Sequence, residues 1–151
     1  KWNFINRNNK LLSDTWFDDV YNFSDGYARV KLNRKWNFIN RNNKLLSDTW
    51  FDGVYNFSDG YAKVELNDKL NLIDRNGKRV SNTWYDWVDD FHDGYARVKL
   101  YDKWNLLQTN GKLLSDTWFD RVGNFNDGYA DVELNDKYFK IDKNGQRVSG
   151  M

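Results

Sequence analysis

The stretch FSDGYARVKLNRKWNFIN decides the fold; it occupies residues 23–40, and close variants of it occupy residues 57–74 and 91–108. Apolar residues alternate with polar or amphipathic ones along its YARVKL segment, which is the period of a β-strand. Asn33 and Arg34 then separate this segment from KWNFIN, a second short run rich in aromatic residues. Because Asn tolerates the positive φ of a primed turn, the stretch predicts a two-residue β-hairpin.

The hairpin belongs to a repeat of 34 residues, and a third run in each repeat, such as KLLSDTWFD at 44–52, adds a third short antiparallel strand. The opening lysine recurs at Lys1, Lys35, Lys69, Lys103 and Lys137. Fixed-period repetition at this length is typical of solenoids, propellers and related arrays. We therefore interpret residues 1–151 as one repeat domain with the units 1–34, 35–68, 69–102, 103–136 and a partial 137–151.

The expected fold class is all-β, an open, solenoid-like array of three-stranded units. One face of each hairpin would carry Ala, Val, Leu and Ile, and the other would carry Trp and Phe beside the stems of Lys and Arg. A sheet with apolar groups on both faces requires neighbours on both sides. The alternative is a closed, propeller-like ring of three-stranded blades. A ring needs a whole number of repeats, and this chain starts within a hairpin, so the open array is preferred.

The repeat resembles that of the bacterial WG-repeat proteins, also called KWG repeats, over the whole chain. The resemblance rests on an F-x-x-G-x-A-x-V segment followed by K-W-x-x-I-[DN] and N-G-K, for example Phe23, Gly26, Ala28, Val30, Lys35, Trp36, Ile39 and Asn40, then Asn76, Gly77 and Lys78. It implies a β-rich repeat without assigned activity that mediates interactions, and it supplies no catalytic residues.

One position departs from the family pattern. Where the family has Gly after Trp, this chain has an asparagine in four of its repeats, at Asn3, Asn37, Asn71 and Asn105. After Gly, Asn is the residue that best tolerates the left-handed region. We therefore expect a similar backbone at these positions.

Composition excludes several functional classes. The chain has 23 basic and 22 acidic residues, a balance that argues against a nucleic-acid partner. No apolar run is long enough for membrane insertion. The sequence contains no Cys, and the Asp-containing loops match no known calcium pattern, so neither a metal nor a cofactor is expected. Nothing in the sequence indicates a compartment.

Positions that hardly vary between repeats are expected to be structural. They include a tryptophan and an aspartate two residues later, at Trp16, Trp50, Trp84 and Trp118 and at Asp18, Asp52, Asp86 and Asp120. Catalysis needs one asymmetric constellation, not four copies of one carboxylate. We therefore expect no enzymatic activity and no catalytic residue, and we expect Trp50 and Trp84 to be mostly buried.

Positions that vary indicate a partner site. One position reads Asp19, Gly53, Trp87 and Arg121, so it must face solvent, and the third repeat has further departures nearby. The candidate partner-binding residues are Trp87, Asp89, Asp90, His92 and Tyr101.

Three functions remain open. The preferred one is a non-catalytic scaffold for protein–protein interaction; the others are a glycan- or cell-wall-binding module, with the repeated Trp as sugar platforms, and a structural spacer or self-assembling fibre segment. The chain begins without Met, as in a processed or excised piece, and its uncapped ends predict head-to-tail self-association. The alternating signs of Lys31, Glu65, Lys99 and Glu133 predict an ion-pair ladder between repeats.

Overall fold

The computed structural model describes residues 1–148, and in that range it contains strands and turns but no helix. Accordingly, no helix of the described part could cross a membrane. The strands of the described residues are β1 (Asp19–Val20), β2 (Tyr27–Leu32), β3 (Lys35–Asn40), β4 (Gly53–Val54), β5 (Tyr61–Leu66), β6 (Lys69–Asp74), β7 (Trp87–Val88), β8 (Tyr95–Leu100), β9 (Lys103–Gln108), β10 (Arg121–Val122), β11 (Ala130–Leu134) and β12 (Lys137–Ile141).

The predicted fold class is confirmed. Residues 1–148 form four three-stranded antiparallel sheets in tandem, and none of these sheets closes into a barrel, as in an open all-β repeat array. Their strand orders are β1-β2-β3, β4-β5-β6, β7-β8-β9 and β10-β11-β12.

The hairpin is the element that local sequence specifies best. In β2 and β3, Val30 pairs with Asn37 and Ala28 with Ile39, the register expected from a two-residue turn. The turn residues have positive φ in every repeat, as a type I′ turn requires: Asn33 and Arg34, Asn67 and Asp68, Tyr101 and Asp102, Asn135 and Asp136.

The third strand lies later in the repeat than predicted. The KLLSDTWFD run makes only isolated bridges, Ile39 with Leu45 and Trp36 with Phe51. Between those bridges the Ser47 hydroxyl accepts the Thr49 N–H at 3.0 Å, and this local turn interrupts extended pairing. The strand forms instead just after the run, as the two-residue segments β1, β4, β7 and β10.

The chain divides into two compact units, Lys1–Asn67 with Ile73–Lys78, and Asp68–Leu72 with the described residues from Arg79 onward. The core of the first unit includes Phe17, Ala28, Val30 and Ile39. The core of the second includes Leu106, Phe119, Val122, Phe125, Ala130, Val132 and Ile141. The interpretation of residues 1–151 as one domain stays a prediction.

The asparagines that replace the family glycine are not in the left-handed region; Asn37, Asn71 and Asn105 lie in strands and are buried, whereas Asn3 is half-buried. Asn71 is completely buried, and its Nδ2 donates to the Ser81 carbonyl at 2.8 Å. Its Oδ1 accepts the Leu72 N–H at 2.8 Å. Asn37 and Asn105 repeat this arrangement. Each of these asparagines therefore connects its hairpin to the irregular Ser-Asp-Thr or Ser-Asn-Thr segment that begins ten residues later.

As expected, most of the surface of Trp50 and Trp84 is buried, but neither is a core residue. The next residue takes the core position instead: Phe51 and Tyr85 are each only 2% exposed. Successive residues of an extended segment point to opposite sides. Trp50 therefore packs against the edge of the first unit's core, while the Phe51 ring, on the opposite side of the segment, is buried.

The repeated aspartates have a structural role in each hairpin. Asp52 accepts the backbone N–H of Asn67 at 2.7 Å and forms an ion pair with Lys35, so it connects the β5–β6 turn of the second sheet to the start of β3 in the first sheet. Both contacts favour the ionised carboxylate and lower the pKa of Asp52, with the Lys35 hydrogen bond as the larger cause. Asp120 has the same arrangement with Lys103 and Asn135.

Candidate partner-binding site

One face of the third sheet gathers the residues that differ most between repeats. Trp87 of β7 pairs with Lys99 of β8, which pairs with Trp104 of β9, so the three side chains lie in one row. Arg97, two residues before Lys99, and Asp89, two residues after Trp87, lie on the same side. We call these five residues the variable face of the third sheet.

The variable face borders an open cleft. Trp87 and Trp104 line it together with Lys99 and with the carboxylates of Asp86 and Asp102, and the cleft has a volume of about 540 Å³. Trp87 is 42% exposed, and Trp104 is half-buried. The cleft therefore offers aromatic surface next to charged groups of both signs.

Asp89 fixes the orientation of the Trp87 ring. Its Oδ1 accepts the indole Nε1–H of Trp87 at 2.6 Å, and its Oδ2 accepts the Arg97 Nε–H at 2.6 Å. Arg97 and Lys99 in turn hold their charged groups 5.7 and 5.6 Å from the Trp104 ring centre. These cation–π contacts and hydrogen bonds arrange the face in the absence of any partner.

Asp86 lies at the edge of the cleft nearest the hairpin turn. It forms an ion pair with Lys69 and accepts the Tyr101 backbone N–H at 3.0 Å. The Lys69 hydrogen bond, then the Tyr101 hydrogen bond and the nearby charge of Lys99 lower the pKa of Asp86. Asp86 is therefore a charged group with its own partners, and Asp102, which lies 3.6 Å from the Lys99 ammonium, is the more available carboxylate of the cleft.

The candidate residues from the sequence are only partly brought together. Trp87 lines the cleft, and Asp89 accepts a hydrogen bond that holds the Trp87 ring in place. The Tyr101 backbone N–H donates to Asp86, whereas the Tyr101 ring, 83% exposed, is not part of the cleft lining. His92 lies in the following turn with its Nε2 3.7 Å from Asp93, and Asp90 is exposed; neither lines the cleft.

Sequence reasoning missed Lys99 and Trp104. The hairpin register alone places Lys99 opposite Trp104, so this pair could have been predicted from the sequence. The position of Trp87 beside Lys99 could not be predicted, because it depends on the two-residue strand β7, and the sequence analysis placed that strand earlier in the repeat.

The predicted charge ladder between repeats is wrong. Lys31, Glu65, Lys99 and Glu133 each lie opposite a residue of the short strand in their own sheet: Asp19, Gly53, Trp87 and Arg121. Glu133 lies 3.3 Å from Arg121, and Lys99 lies 3.6 Å from Asp102. Among residues 1–148, no ion pair joins two members of the series. Lys99 and Glu133 therefore have their oppositely charged neighbours within their own sheets.

The equivalent face of the first sheet is closed by its own aromatic residues. Tyr21 occupies the position of Asp89, and its ring stacks on Trp36 at 5.4 Å with an interplanar angle of 6°. Arg29 then lies over Tyr21 at 4.5 Å. With Asp in place of Tyr, the third sheet leaves the equivalent Trp104 without this aromatic cover.

No group of three or more potential metal ligands occurs within residues 1–148. Comparison with protein families gives a match to a model described as WG containing repeat, over residues 2–36, 38–69, 72–104 and 106–138. A search of curated proteins gave no match to this sequence.

Several solved structures share an overall similarity with the chain. KlHsv2 with loop 6CD replaced by a Gly-Ser linker is 11% identical with a TM-score of 0.44, covering 81% of this chain and 46% of that one. Kluyveromyces lactis Hsv2p is 11% identical with a TM-score of 0.42, covering 89% and 51%. A protein of unknown function from Bacteroides caccae is 14% identical with a TM-score of 0.32, covering 97% and 72%. The chain thus spans about half the length of the Hsv2 structures, and these similarities carry no inference about function.

Proposed function

The chain belongs to the family of WG-containing repeats, and we propose that it is a non-catalytic scaffold that binds a protein partner through the Trp87–Trp104 cleft. The observation that carries the proposal is the pair of tryptophans on the variable face of the third sheet, at an open cleft of about 540 Å³. In the second sheet the same two positions hold Gly53 and Leu70. The aromatic pair is therefore not a requirement of the repeat fold.

The composition of the face supports a protein partner. Trp and Arg are enriched among the residues that dominate binding energy at protein interfaces, and rigid aromatic groups lose little entropy on binding. Asp89 holds both Trp87 and Arg97 in place. A partner would meet side chains that are already ordered, which lowers the entropic cost of association.

The charge around Trp87 indicates the chemistry of the partner. Residues 84–93 contain four aspartates and no Lys or Arg, and two of these aspartates, Asp86 and Asp89, pair with Lys69 and Arg97. Asp102 adds a further carboxylate whose side chain is 95% exposed. The partner segment that fits this surface presents Arg or Lys beside an aromatic or aliphatic side chain, so that the cation meets the carboxylates and the apolar group covers the Trp87 ring.

A glycan is the second candidate, because Trp87 is exposed and carboxylates border it. Two features favour protein over glycan. The Trp87 indole N–H is already donated to Asp89, and the Lys99 ammonium lies near Asp102, so fewer groups are left to bind sugar hydroxyls. Of the repeated tryptophans, the other candidate platforms, Trp50 and Trp84 are half-buried, and Trp50 packs against the core of the first unit.

A peptide-display selection on the full chain tests the proposal. We expect enrichment of peptides that combine a basic residue with an aromatic or aliphatic one, and their affinities would be measured by calorimetry. The decisive variant is Trp87→Gly/Asp89→Tyr/Trp104→Leu, which gives the third sheet the residues that the second sheet has at these positions. It should bind at least about tenfold more weakly.

The matched control is Tyr138→Leu, which removes an exposed ring from the same position in the fourth sheet. This variant should bind like the original chain. If the triple variant binds as tightly as the original chain, the cleft is not the site. If no peptide is selected but a glycan array gives binding that the triple variant loses, the glycan function replaces the protein function.

A further inference from the structure

A second surface, in the first unit, resembles a contact that recurs between repeats, but its aromatic rings are less covered. Phe4, Ile5, Asn6, Leu12, Phe23 and Arg41 line a cavity of about 240 Å³, which we call the acceptor slot. Phe23 and Phe4 are half-buried there. Their counterparts in the later repeats are buried: Phe57, Phe91 and Phe125 for the former, and Phe38, Leu72 and Leu106 for the latter.

The second repeat shows what covers these rings when the slot is filled. Tyr27, from an Asp-Gly-Tyr turn, stacks on Phe57 with ring centres 5.0 Å apart. Its hydroxyl donates to the Arg75 carbonyl at 2.7 Å, and Arg75 Nη2 donates to the Asp25 carbonyl at 2.8 Å. One turn is therefore held by a ring stack and two reciprocal hydrogen bonds.

The second unit contains another instance of the same contact. Tyr95 lies 4.3 Å from Phe125, ring centre to ring centre, and its hydroxyl lies 3.5 Å from the Lys143 carbonyl. Lys143 occupies the repeat position of Arg75 and Arg41. The contact is thus a repeated element of the fold and not a peculiarity of one turn.

The two phenylalanines of the acceptor slot already have the geometry of a filled one. Phe4 and Phe23 have ring centres 4.9 Å apart at 56°, and the equivalent Phe38 and Phe57 have ring centres 5.0 Å apart at 55°. Arg41 lies 4.4 Å over the Phe23 ring, where Arg75 lies 5.8 Å over Phe57 and 5.4 Å over Tyr27. The two phenylalanines could therefore keep their positions when an Asp-Gly-Tyr turn enters, while the Arg41 guanidinium would move away from the Phe23 ring to admit the tyrosine.

The fourth repeat offers a matching turn, Asp127-Gly128-Tyr129, which we call the donor turn. Tyr129 is 37% exposed, so part of its ring is accessible to a second molecule. Its backbone has the required shape: φ is 54° at Asp127 and 88° at Gly128, against 54° and 87° at Asp25 and Gly26.

We infer that the acceptor slot of one molecule binds the donor turn of a second copy, which joins the chains head to tail. In that contact Tyr129 covers Phe23, the Tyr129 hydroxyl donates to the Arg41 carbonyl, and Arg41 donates to the Asp127 carbonyl. A single turn in a single slot is a small interface, so the association is weak and increases with concentration. It is independent of the Trp87–Trp104 cleft.

Sedimentation of the full chain and of two surface variants tests this inference. Tyr129→Ser removes the donor ring, and Arg41→Glu removes the acceptor cation. The original chain should form larger species as its concentration rises, while each variant alone should stay monomeric. An equimolar mixture of the two variants should form a dimer and nothing larger, because one intact slot and one intact turn remain between them.

Tyr101→Ser, which removes an exposed tyrosine from a different turn, is the control and should associate like the original chain. Near-ultraviolet circular dichroism would verify that each variant is folded. A monomer at every concentration for the original chain overturns the inference. Persistent association of either variant alone, or a mixture that stays monomeric although the original chain associates, would also overturn it.

Discussion

The indole nitrogen of Trp87 lies 2.6 Å from the Asp89 carboxylate, so an exposed contact and not the core sets the orientation of this ring. Trp50, by contrast, packs against the core of the first unit. The two tryptophans should therefore differ in their effect on stability. Trp87→Gly, which introduces the residue of the second repeat, should change the free energy of unfolding by no more than about 0.5 kcal/mol.

Trp50→Ala should cost about 1–3 kcal/mol, because it removes a half-buried ring from the core's edge. Chemical denaturation of both variants would measure the difference. A loss at Trp87 as large as that at Trp50 would mean that Trp87 has a structural role.

The glycines of the N-G-K turns approach the backbone of the preceding repeat. A Cβ on Gly111, which has φ of 87°, would lie 2.3 Å from the Val80 carbonyl oxygen. A Cβ on Gly94, also at φ of 87°, would meet no atom within 4 Å. Gly94→Ala should thus cost about 1–3 kcal/mol for the left-handed backbone alone.

Gly111→Ala should cost a further amount of about 1–3 kcal/mol, because the surrounding backbone must move to relieve the overlap. Denaturation of the two variants separates the two effects. Equal losses would show that the close approach to Val80 is not maintained in solution.

The buried asparagines should be important for stability. Asn71→Ala would leave the Ser81 carbonyl and the Leu72 N–H without the side chain that now pairs them. We expect a loss of about 1–3 kcal/mol. Asn3, which is only half-buried and makes the same contacts in the first repeat, is the matched control, and Asn3→Ala should cost less because water can replace the amide. The reverse order would contradict the proposed role of burial.

Acid should weaken the hairpins through the repeated aspartates. The pKa of Asp52 in the folded protein lies below 3.8, mainly through its hydrogen bond with Lys35. A lowered folded-state pKa stabilises the fold above the unfolded-state pKa, and this contribution is lost as the pH falls through the folded-state value.

Denaturation midpoints measured from neutral pH to below 3.8 should therefore fall more steeply for the original chain than for Asp52→Asn. The Asn side chain keeps an oxygen that can accept the Asn67 N–H. Parallel curves for the two proteins would show that this carboxylate does not contribute to the acid sensitivity.

The sequence predicted those features that depend on nearby residues. Val30 opposite Asn37 and the positive φ of Asn33 follow from alternation and turn chemistry, both of which act within a few positions. The position of the third strand did not follow, because the turn at Ser47 and Thr49 interrupts a run whose apolar residues look continuous.

The side-chain environments were harder to predict than the backbone. The role of Asn71 was missed because its partners lie ten or more residues away, at Ser81 and Thr83. The predicted charge ladder was wrong because Glu133 lies opposite Arg121 in its own sheet and forms its ion pair there. The sequence indicated Trp87 as an unusual residue but did not place Trp104 beside it, because their proximity depends on the position of the short strand β7.

The binding role of the Trp87–Trp104 cleft is tested most directly by nuclear magnetic resonance of the eight tryptophan indole N–H groups during titration with a selected peptide. The Trp87 and Trp104 signals should shift and saturate together with the affinity found by calorimetry, while those of Trp50, Trp84 and Trp118 stay in place. Shifts confined to the repeated tryptophans, with Trp87 and Trp104 unchanged, would contradict the proposed site.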